Sequence, residues 1–230
     1  ITNVFLDVFP WIFLLYMPFK DRLRFSVITT GVLNYIALTI YLLIFKKITT
    51  AEFYNLDVMF SYRVVQIFVV LTLVIFLVDD YIEKSLFVYG LLLPISVVIL
   101  VWASHINNYI TIRQSATYLD TAVLRIIISV VCFPFMYILW KKYIVPVVKT
   151  DNRRQWRQAW IIPIIFSIVS LAYCENNFEI TYMRFNQVIA RFTLSIGVVI
   201  VSVMQFSNMN TEEKIVRAEE KAKRSKMHEI

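Results

Sequence analysis

The chain has 230 residues, of which 59% are apolar and 17% are charged, with a mean hydropathy of +0.68 and a formal net charge of +7 at pH 7. This composition excludes a domain folded around one water-soluble core, and it predicts a membrane protein. The positive charge does not indicate nucleic-acid binding, because the basic residues lie beside apolar stretches rather than along one soluble face. We therefore expect the lipid bilayer, and no nucleic acid, as a partner.

Seven apolar stretches approach or meet the roughly 20 residues that a helix needs to cross a bilayer. They lie near residues 4–19, 25–45, 62–78, 85–104, 123–140, 158–174 and 188–206. A transmembrane barrel would require alternating polar and apolar residues, which runs such as VVQIFVVLTLVIFLV (64–78) lack. The predicted fold class is all-α, a polytopic membrane protein whose residues 1–206 form a seven-transmembrane-helix bundle.

The seventh stretch passes without a break into the charged segment TEEKIVRAEEKAKRSK (211–226). Strong helix formers dominate there and Pro and Gly are missing, so we expect the last helix to continue as a cytoplasmic signalling helix over 207–230. Small or apolar residues recur at 3-4-3 spacing, as in one side of a two-helix seam, and predict a homodimer through this helix. They are Ile215, Ala218, Ala222 and Ser225. The alternative is a solvated, charged helix with no partner.

The chain begins with Ile1 rather than Met, so we expect it to be a piece of a longer protein and do not interpret its first segment as a cleaved signal peptide. The charged helix at the other end then leads into an output region outside this sequence.

Basic residues predict the orientation of the bundle. With the amino terminus outside and the carboxy terminus cytoplasmic, the inner segments hold most of the 23 Lys and Arg residues, as the positive-inside rule requires. Those inner segments are 20–24, 79–84, 141–157 and the tail. Two local exceptions are Lys46-Lys47, which falls outside, and an acidic inner turn with Asp79, Asp80 and Glu83. The predicted location is a plasma membrane, crossed several times, with the carboxy terminus in the cytoplasm.

The outer connections supply material for a binding site. They lie near 46–61, 105–122 and 175–187, which is long for helix-to-helix links, and long loops are often functional. Aromatic and amide side chains are frequent in them, Tyr118 among them. For any single Tyr or Trp there, an interfacial aromatic belt is the simpler explanation.

Ionisable residues near the outer ends of the predicted spans indicate the ligand site. Charges inside spans usually face a bundle interior or a wet cavity, and an Arg guanidinium binds a carboxylate or phosphate with two parallel hydrogen bonds. We therefore expect an extracellular small molecule or peptide with an anionic group to bind there. The predicted ligand-binding residues are Asp7, Arg63, Arg125, Arg191 and Tyr118. Snorkelling to the interface is the alternative for Arg63 and Arg125, which are nearest the span ends.

Prolines and small polar residues inside the spans have structural explanations. Pro10, Pro94, Pro134 and Pro163 can kink their helices or act as hinges, while neighbouring helices satisfy the freed carbonyls. The polar residues near the span centres are expected to bond their own helices. These are Asn34, Thr72, Ser96, Ser129, Ser167 and Ser195.

Catalytic chemistry finds little support in the sequence. The chain has three glycines and no phosphate-binding glycine-rich loop, and its two histidines, His105 and His228, form no metal-ligand pair. We predict no catalytic residue, no metal and no cofactor within the chain. The pair His228-Glu229 is compatible with a phosphoacceptor site but is more typical of a helix surface, and Cys132 and Cys174 are expected to be small apolar groups within spans.

Four segments in order, followed by the charged helix, resemble the membrane sensor region of GHKL-type bacterial histidine kinases of the peptide quorum-sensing, accessory-gene-regulator type. They are FPWIFLLYMPFKDRLRFS (9–26), LVDDYIEKSLFVYGLLLP (77–94), LRIIISVVCFPFMYILWKKYIVPVV (124–148) and ARFTLSIG (190–197). The resemblance implies a seven-helix sensor, a dimerising helix, and a phosphoacceptor segment and ATP-binding domain that this sequence lacks. Kinase activity would then belong to the parent protein.

Two functions of different classes follow from these observations. In the first, the chain is the ligand-sensing domain of a two-component sensor kinase and signals through the seventh helix. In the second, it is a multi-pass transporter component, for which polar midplane groups and internal repeats would be expected. The sequence shows no convincing repeat, which favours the sensor.

Overall fold

Helices account for every regular element in the described part of the chain, which covers residues 11–49, 56–111, 118–175 and 185–228 of a computed structural model. The predicted all-α class is therefore confirmed for these residues. Residues 11–16 form helix α1, which passes into a 3₁₀ turn at Met17–Arg22. The remaining helices are α2 (Val27–Thr49), α3 (Leu56–Leu77), α4 (Ile82–Thr111), α5 (Tyr118–Leu139), α6 (Val145–Val148), α7 (Arg153–Ala159), α8 (Ile161–Glu175) and α9 (Phe185–His228).

Three helices in the described residues are long and apolar enough to cross a membrane. The apolar windows are Ile82–Ile99 in α4, Ile126–Val148 from α5 through α6, and Phe192–Met209 in α9. Shorter apolar windows, Val27–Tyr41 and Val64–Leu77, occur in α2 and α3. These findings support membrane association, whereas the count of seven spans stays a prediction.

Helix α4 lies at the centre of the bundle. It packs against α3, α5, α8 and α9. Within its apolar window 61% of the residues are buried, compared with 11% for the window that starts in α5 and 22% for the window in α9. Most residues of the other two windows are therefore exposed or only partly buried, as expected for surfaces that face lipid.

Hydroxyl groups from two neighbouring helices satisfy α4 around its proline. Pro94 has no N–H to donate to the carbonyl of Gly90, four residues earlier, so that carbonyl needs another donor. The hydroxyl of Ser167 on α8 donates to the Gly90 carbonyl at 2.7 Å, and the hydroxyl of Ser195 on α9 donates to the Pro94 carbonyl at 3.1 Å. Ser167 and Ser195 thus bond a neighbouring helix instead of their own, and for Ser167 the reason is that the proline leaves the Gly90 carbonyl without a donor from α4.

The contact between α4 and α8 is close at Gly90. A Cβ atom added to Gly90 would lie 2.8 Å from the Cβ of Pro163 and 3.0 Å from its carbonyl carbon. The absence of a side chain at Gly90 therefore allows the two helices to approach, and this approach brings Ser167 within reach of the carbonyl.

Helices α2 to α5 extend beyond the apolar stretches from which they were predicted, so the connections between them are shorter than predicted. The predicted outer connections 46–61 and 105–122 are shortened at both ends, because α2 runs to Thr49, α3 begins at Leu56, α4 runs to Thr111 and α5 begins at Tyr118. The predicted inner connection 141–157 is helical except at 149–152. Polar helix formers extend helical turns beyond an apolar window, and a hydropathy pattern alone does not register them.

Three turns meet at one end of the bundle, which we call the turn end. They are the segment after the 3₁₀ turn, the turn between α3 and α4, and the turn between α6 and α7. Backbone bonds run from the amide of Arg24 to the carbonyl of Leu77 at 3.0 Å and from the amide of Asp79 to the carbonyl of Arg22 at 2.8 Å. The Lys149 ammonium lies 3.2 Å from the Asp21 carboxylate and joins the third turn to the first.

Helix α9 is continuous over 44 residues and leaves the bundle at the turn end. Its buried residues form one stripe at helical spacing, made of Ser195, Val198, Ser202 and Phe206. Beyond Phe206 no described side chain of α9 is buried. The prediction that the last apolar helix continues into the charged segment is confirmed, and Phe206 is the last buried residue of α9 among those described.

Candidate functional site

The outer binding site predicted from the sequence falls largely outside the described residues. Asp7 lies outside them, as do the side chains of Tyr118, Arg63, Arg125 and Arg191. The backbones of the three arginines belong to α3, α5 and α9, and each lies at least about 20 Å along its helix from the turn end. They therefore occupy the opposite end of the bundle, and their role in ligand binding stays a prediction.

At the turn end, four charged side chains from three separate chain segments form an ion cluster made of Arg22, Asp80, Lys84 and Asp151. The Arg22 guanidinium lies 2.9 Å from the Asp80 carboxylate and 2.7 Å from the Asp151 carboxylate. The Lys84 ammonium lies 3.0 Å from Asp80 and 3.2 Å from Asp151. Each cation thus contacts both carboxylates, and the formal charges cancel.

Burial divides the ion cluster into an inner and an outer pair. The side chains of Lys84 and Asp80 are 0% and 2% exposed, whereas those of Arg22 and Asp151 are 37% and 63% exposed. A buried charge is tolerated when opposite charges and hydrogen bonds replace water around it. Arg22 and Asp151 supply these contacts from the solvent side, so they complete the inner pair.

Local structure explains how three of the four members reach the cluster. Arg22 is the last residue of the 3₁₀ turn Met17–Arg22, which has Pro18 near its start, and the backbone bond from Asp79 to Arg22 holds the two turns together. Asp80 precedes α4, where a negative charge is favoured by the helix dipole, and Lys84 follows it at the i,i+4 spacing that brings two side chains onto one helix face.

Aromatic rings connect the ion cluster to α9. The Lys84 ammonium lies 5.4 Å from the ring centroid of Tyr81 and 5.6 Å from that of Trp156, both within the range of cation–π attraction. The Trp156 ring packs against Phe87 of α4 at 5.4 Å and against Phe206 of α9 at 5.2 Å. Its indole N–H donates to the Thr150 carbonyl at 3.0 Å, which fixes the ring between the two helices.

The cluster changes the proton affinity of its exposed members. The hydrogen bond from Arg22, followed by that from Lys84, holds the pKa of the Asp151 carboxyl below its usual range. The Asp151 carboxylate raises the pKa of the Arg22 guanidinium further, so Arg22 stays charged. Because both carboxylates are matched by cations of the chain itself, the arrangement stabilises a junction of helices and is not arranged to hold a metal.

The sequence patterns do not indicate this cluster, although all four members lie in the predicted inner segments. Arg22 and Lys84 belong to the inner segments 20–24 and 79–84, where the charge pattern indicates membrane orientation, and Asp80 belongs to the acidic exception in that pattern. The Asp80-Lys84 spacing was a visible signal for an ion pair. No local pattern indicated Asp151, which lies 129 residues from Arg22 in the chain.

Comparisons of this chain with protein-family models, with curated proteins and with solved structures found no match. The interpretation of the site therefore depends on the geometry described above.

Proposed function

We propose that this chain is the membrane-embedded sensing region of a bacterial two-component sensor histidine kinase, and that α9 carries the signal out of the bundle. One observation carries the proposal. The uninterrupted helix α9 makes its last buried contact at Phe206, beside Trp156 and the ion cluster, and then continues as a charged helix with no further buried side chain among those described.

A signal in this arrangement is a change in how α9 packs on Trp156. A helix transmits displacement along its axis because its backbone hydrogen bonds keep it rigid over several turns. Since Trp156 also contacts Phe87 and Lys84, a shift between α4 and α9 alters the surroundings of the ion cluster. A ligand drives such a shift only if it binds the two packing states with different affinities.

The ligand in this proposal is an extracellular small molecule or peptide with an anionic group. It binds between the outer ends of the helices, where Asp7, Arg63, Arg125, Arg191 and Tyr118 are placed by the sequence. The meeting of the three predicted inner connections and the exit of α9 at one end of the bundle supports the alternating topology that this requires. With seven spans, the amino terminus is outside and the turn end is cytoplasmic.

The exposed residues of α9 support a homodimer in the same proposal. Ile215 and Ala218 are exposed, and Ala222 and Ser225 follow at the spacing of a two-helix seam. A dimer would bring two output regions together, as phosphoryl transfer between subunits requires.

The competing transporter function receives less support from the described residues. A transporter needs polar groups available to a substrate near the middle of the bundle. Ser167 and Ser195 are instead engaged by the carbonyls of Gly90 and Pro94.

The proposal can be tested on the intact protein, including the residues encoded after Ile230, in lipid nanodiscs. Autophosphorylation from ATP should change when culture supernatant of the producing bacterium is added. Arg191→Ala should abolish that response, whereas Lys20→Ala should retain it, because Lys20 is an exposed cation at the opposite end. An intact protein without ATP-dependent phosphorylation, or substrate uptake by liposomes containing this chain alone, would reject the sensor proposal.

A further inference from the structure

Five exposed cations toward the turn end have no carboxylate partner among the described residues, and three of them adjoin an exposed apolar helix face. These three are Lys141 and Lys142, which follow α5, and Arg157 in α7, and we call them the basic rim. Four of the five carboxylates described at this end are engaged, since Asp21 pairs with Lys149, Asp79 with Arg24, and two belong to the ion cluster; the fifth, Glu83, is outnumbered by the unpaired cations. The basic rim therefore leaves uncompensated positive charge at the surface.

Each part of the basic rim terminates an exposed apolar helix face. On α5, the exposed apolar side chains Phe135, Ile138 and Leu139 immediately precede Lys141. On α8, which follows Arg157, Ile161, Ile165 and Ile168 are exposed. An apolar strip that ends in a cation matches the shape of a phospholipid, whose acyl chains lie beside the strip while its phosphate lies at the cation.

The backbone at Lys141 and Lys142 forms a π turn, which is caused by the proline that follows. Pro146 cannot donate to the carbonyl four residues earlier, and residues Trp140–Ile144 widen into a π turn in which the Val145 amide bonds the Trp140 carbonyl. Trp140 is buried, so the lysines that follow it lie on the outer surface. The Lys142 ammonium lies 5.3 Å from the ring centroid of Tyr143, which is itself exposed.

We propose that the basic rim binds the phosphate groups of anionic phospholipids in the bilayer leaflet that surrounds the turn end. The charge complementarity and the adjoining apolar strips both favour a lipid over a soluble anion, because a soluble anion would gain nothing from the strips. The proposal requires a membrane protein but does not rest on ligand sensing, so the two can fail separately.

The test uses the full chain in nanodiscs of equal amounts of phosphatidylglycerol and phosphatidylcholine, followed by native mass spectrometry of the lipids that stay bound. The wild-type chain should retain phosphatidylglycerol in preference to phosphatidylcholine. Lys141→Gln, Lys142→Gln and Arg157→Gln together should remove this preference, with about a fivefold loss in affinity per cation. The pair Lys141→Gln and Lys142→Gln alone should give a partial loss.

A charge-matched control decides between a site and general electrostatic attraction. Lys214→Gln, Lys221→Gln and Lys223→Gln remove the same charge from α9 beyond Phe206 and should leave the preference unchanged. Equal loss in the control and in the rim variant would overturn the proposal, and so would a wild-type chain that retains both lipids equally. Binding of free inorganic phosphate that competes away the lipid preference at millimolar concentration would also overturn it, since the site would then recognise a soluble anion.

Discussion

The ring of Trp156 lies 5.2 Å from the ring of Phe206, centroid to centroid, and this contact is where the bundle last holds helix α9. Trp156 is completely buried and also touches Phe87 of the central helix. Phe206 is the last buried residue of α9 in the described part of the chain, and it lies beside Trp156 and the ion cluster.

Removal of the Phe206 ring should weaken this joint. Phe206→Ala leaves a cavity against Trp156 and should lower the free energy of unfolding by about 3 kcal/mol. Phe192→Ala, in the same helix but with an exposed ring, should change it by about 0.5 kcal/mol or less. Thermal unfolding in detergent micelles, followed by tryptophan fluorescence, measures both. Equal effects of the two variants would contradict the role given to Phe206.

The ion cluster predicts strong coupling between Lys84 and Asp80. Lys84→Met leaves the buried Asp80 carboxylate with one cation fewer and should lower the free energy of unfolding by about 3 kcal/mol. The double variant Lys84→Met, Asp80→Asn should cost less than the sum of the single variants, by about 1 kcal/mol or more. Lys149→Met breaks an exposed pair with Asp21 and should cost about 1 kcal/mol at most. Additive single effects in denaturant unfolding would show that the two residues do not interact.

Two glycine substitutions should have opposite effects. Gly90→Ala forces a methyl group against Pro163 and should destabilise the protein by about 2 kcal/mol. Gly197→Ala adds a methyl group with nothing within 4 Å and should stabilise helix α9 by about 0.5 kcal/mol or more, because alanine has the higher helix propensity. Melting temperatures of the two variants provide the comparison. A stabilised Gly90→Ala variant would be incompatible with the close approach of α4 and α8.

Acid should remove the stabilisation of the fold that the charged Asp151 carboxylate provides. Its pKa in the folded protein lies below the reference value of 3.8, so its charge stabilises the fold above that value and stops doing so as the pH falls through the lowered pKa. Asp151→Asn should therefore destabilise the protein at pH 6, and the difference from wild type should shrink as the pH falls below 4. Melting temperatures measured across this range give the test, and a difference independent of pH would contradict it.

Sequence patterns predicted the apolar helices well and their partners poorly. The stretches at 85–104, 123–140 and 188–206 overlap the three helices that can cross a membrane, and α9 continues as expected. The sequence does not predict the hydrogen bonds of Ser167 and Ser195, because it does not show which neighbouring helix lies beside the proline of α4. The charges at 79–84 look like an exception to the positive-inside rule in the sequence, because the residues that pair with them lie in distant turns.

The sequence by itself determined the helical, membrane-compatible class and the charged continuation of α9, since hydropathy and helix propensity are properties of consecutive residues. Only the tertiary structure decided that Lys84 is a buried ion-pair partner rather than a surface lysine, and that Arg22 meets Asp151. Burial and ion pairing depend on which helix ends pack together, and that choice is made by contacts between residues far apart in the chain.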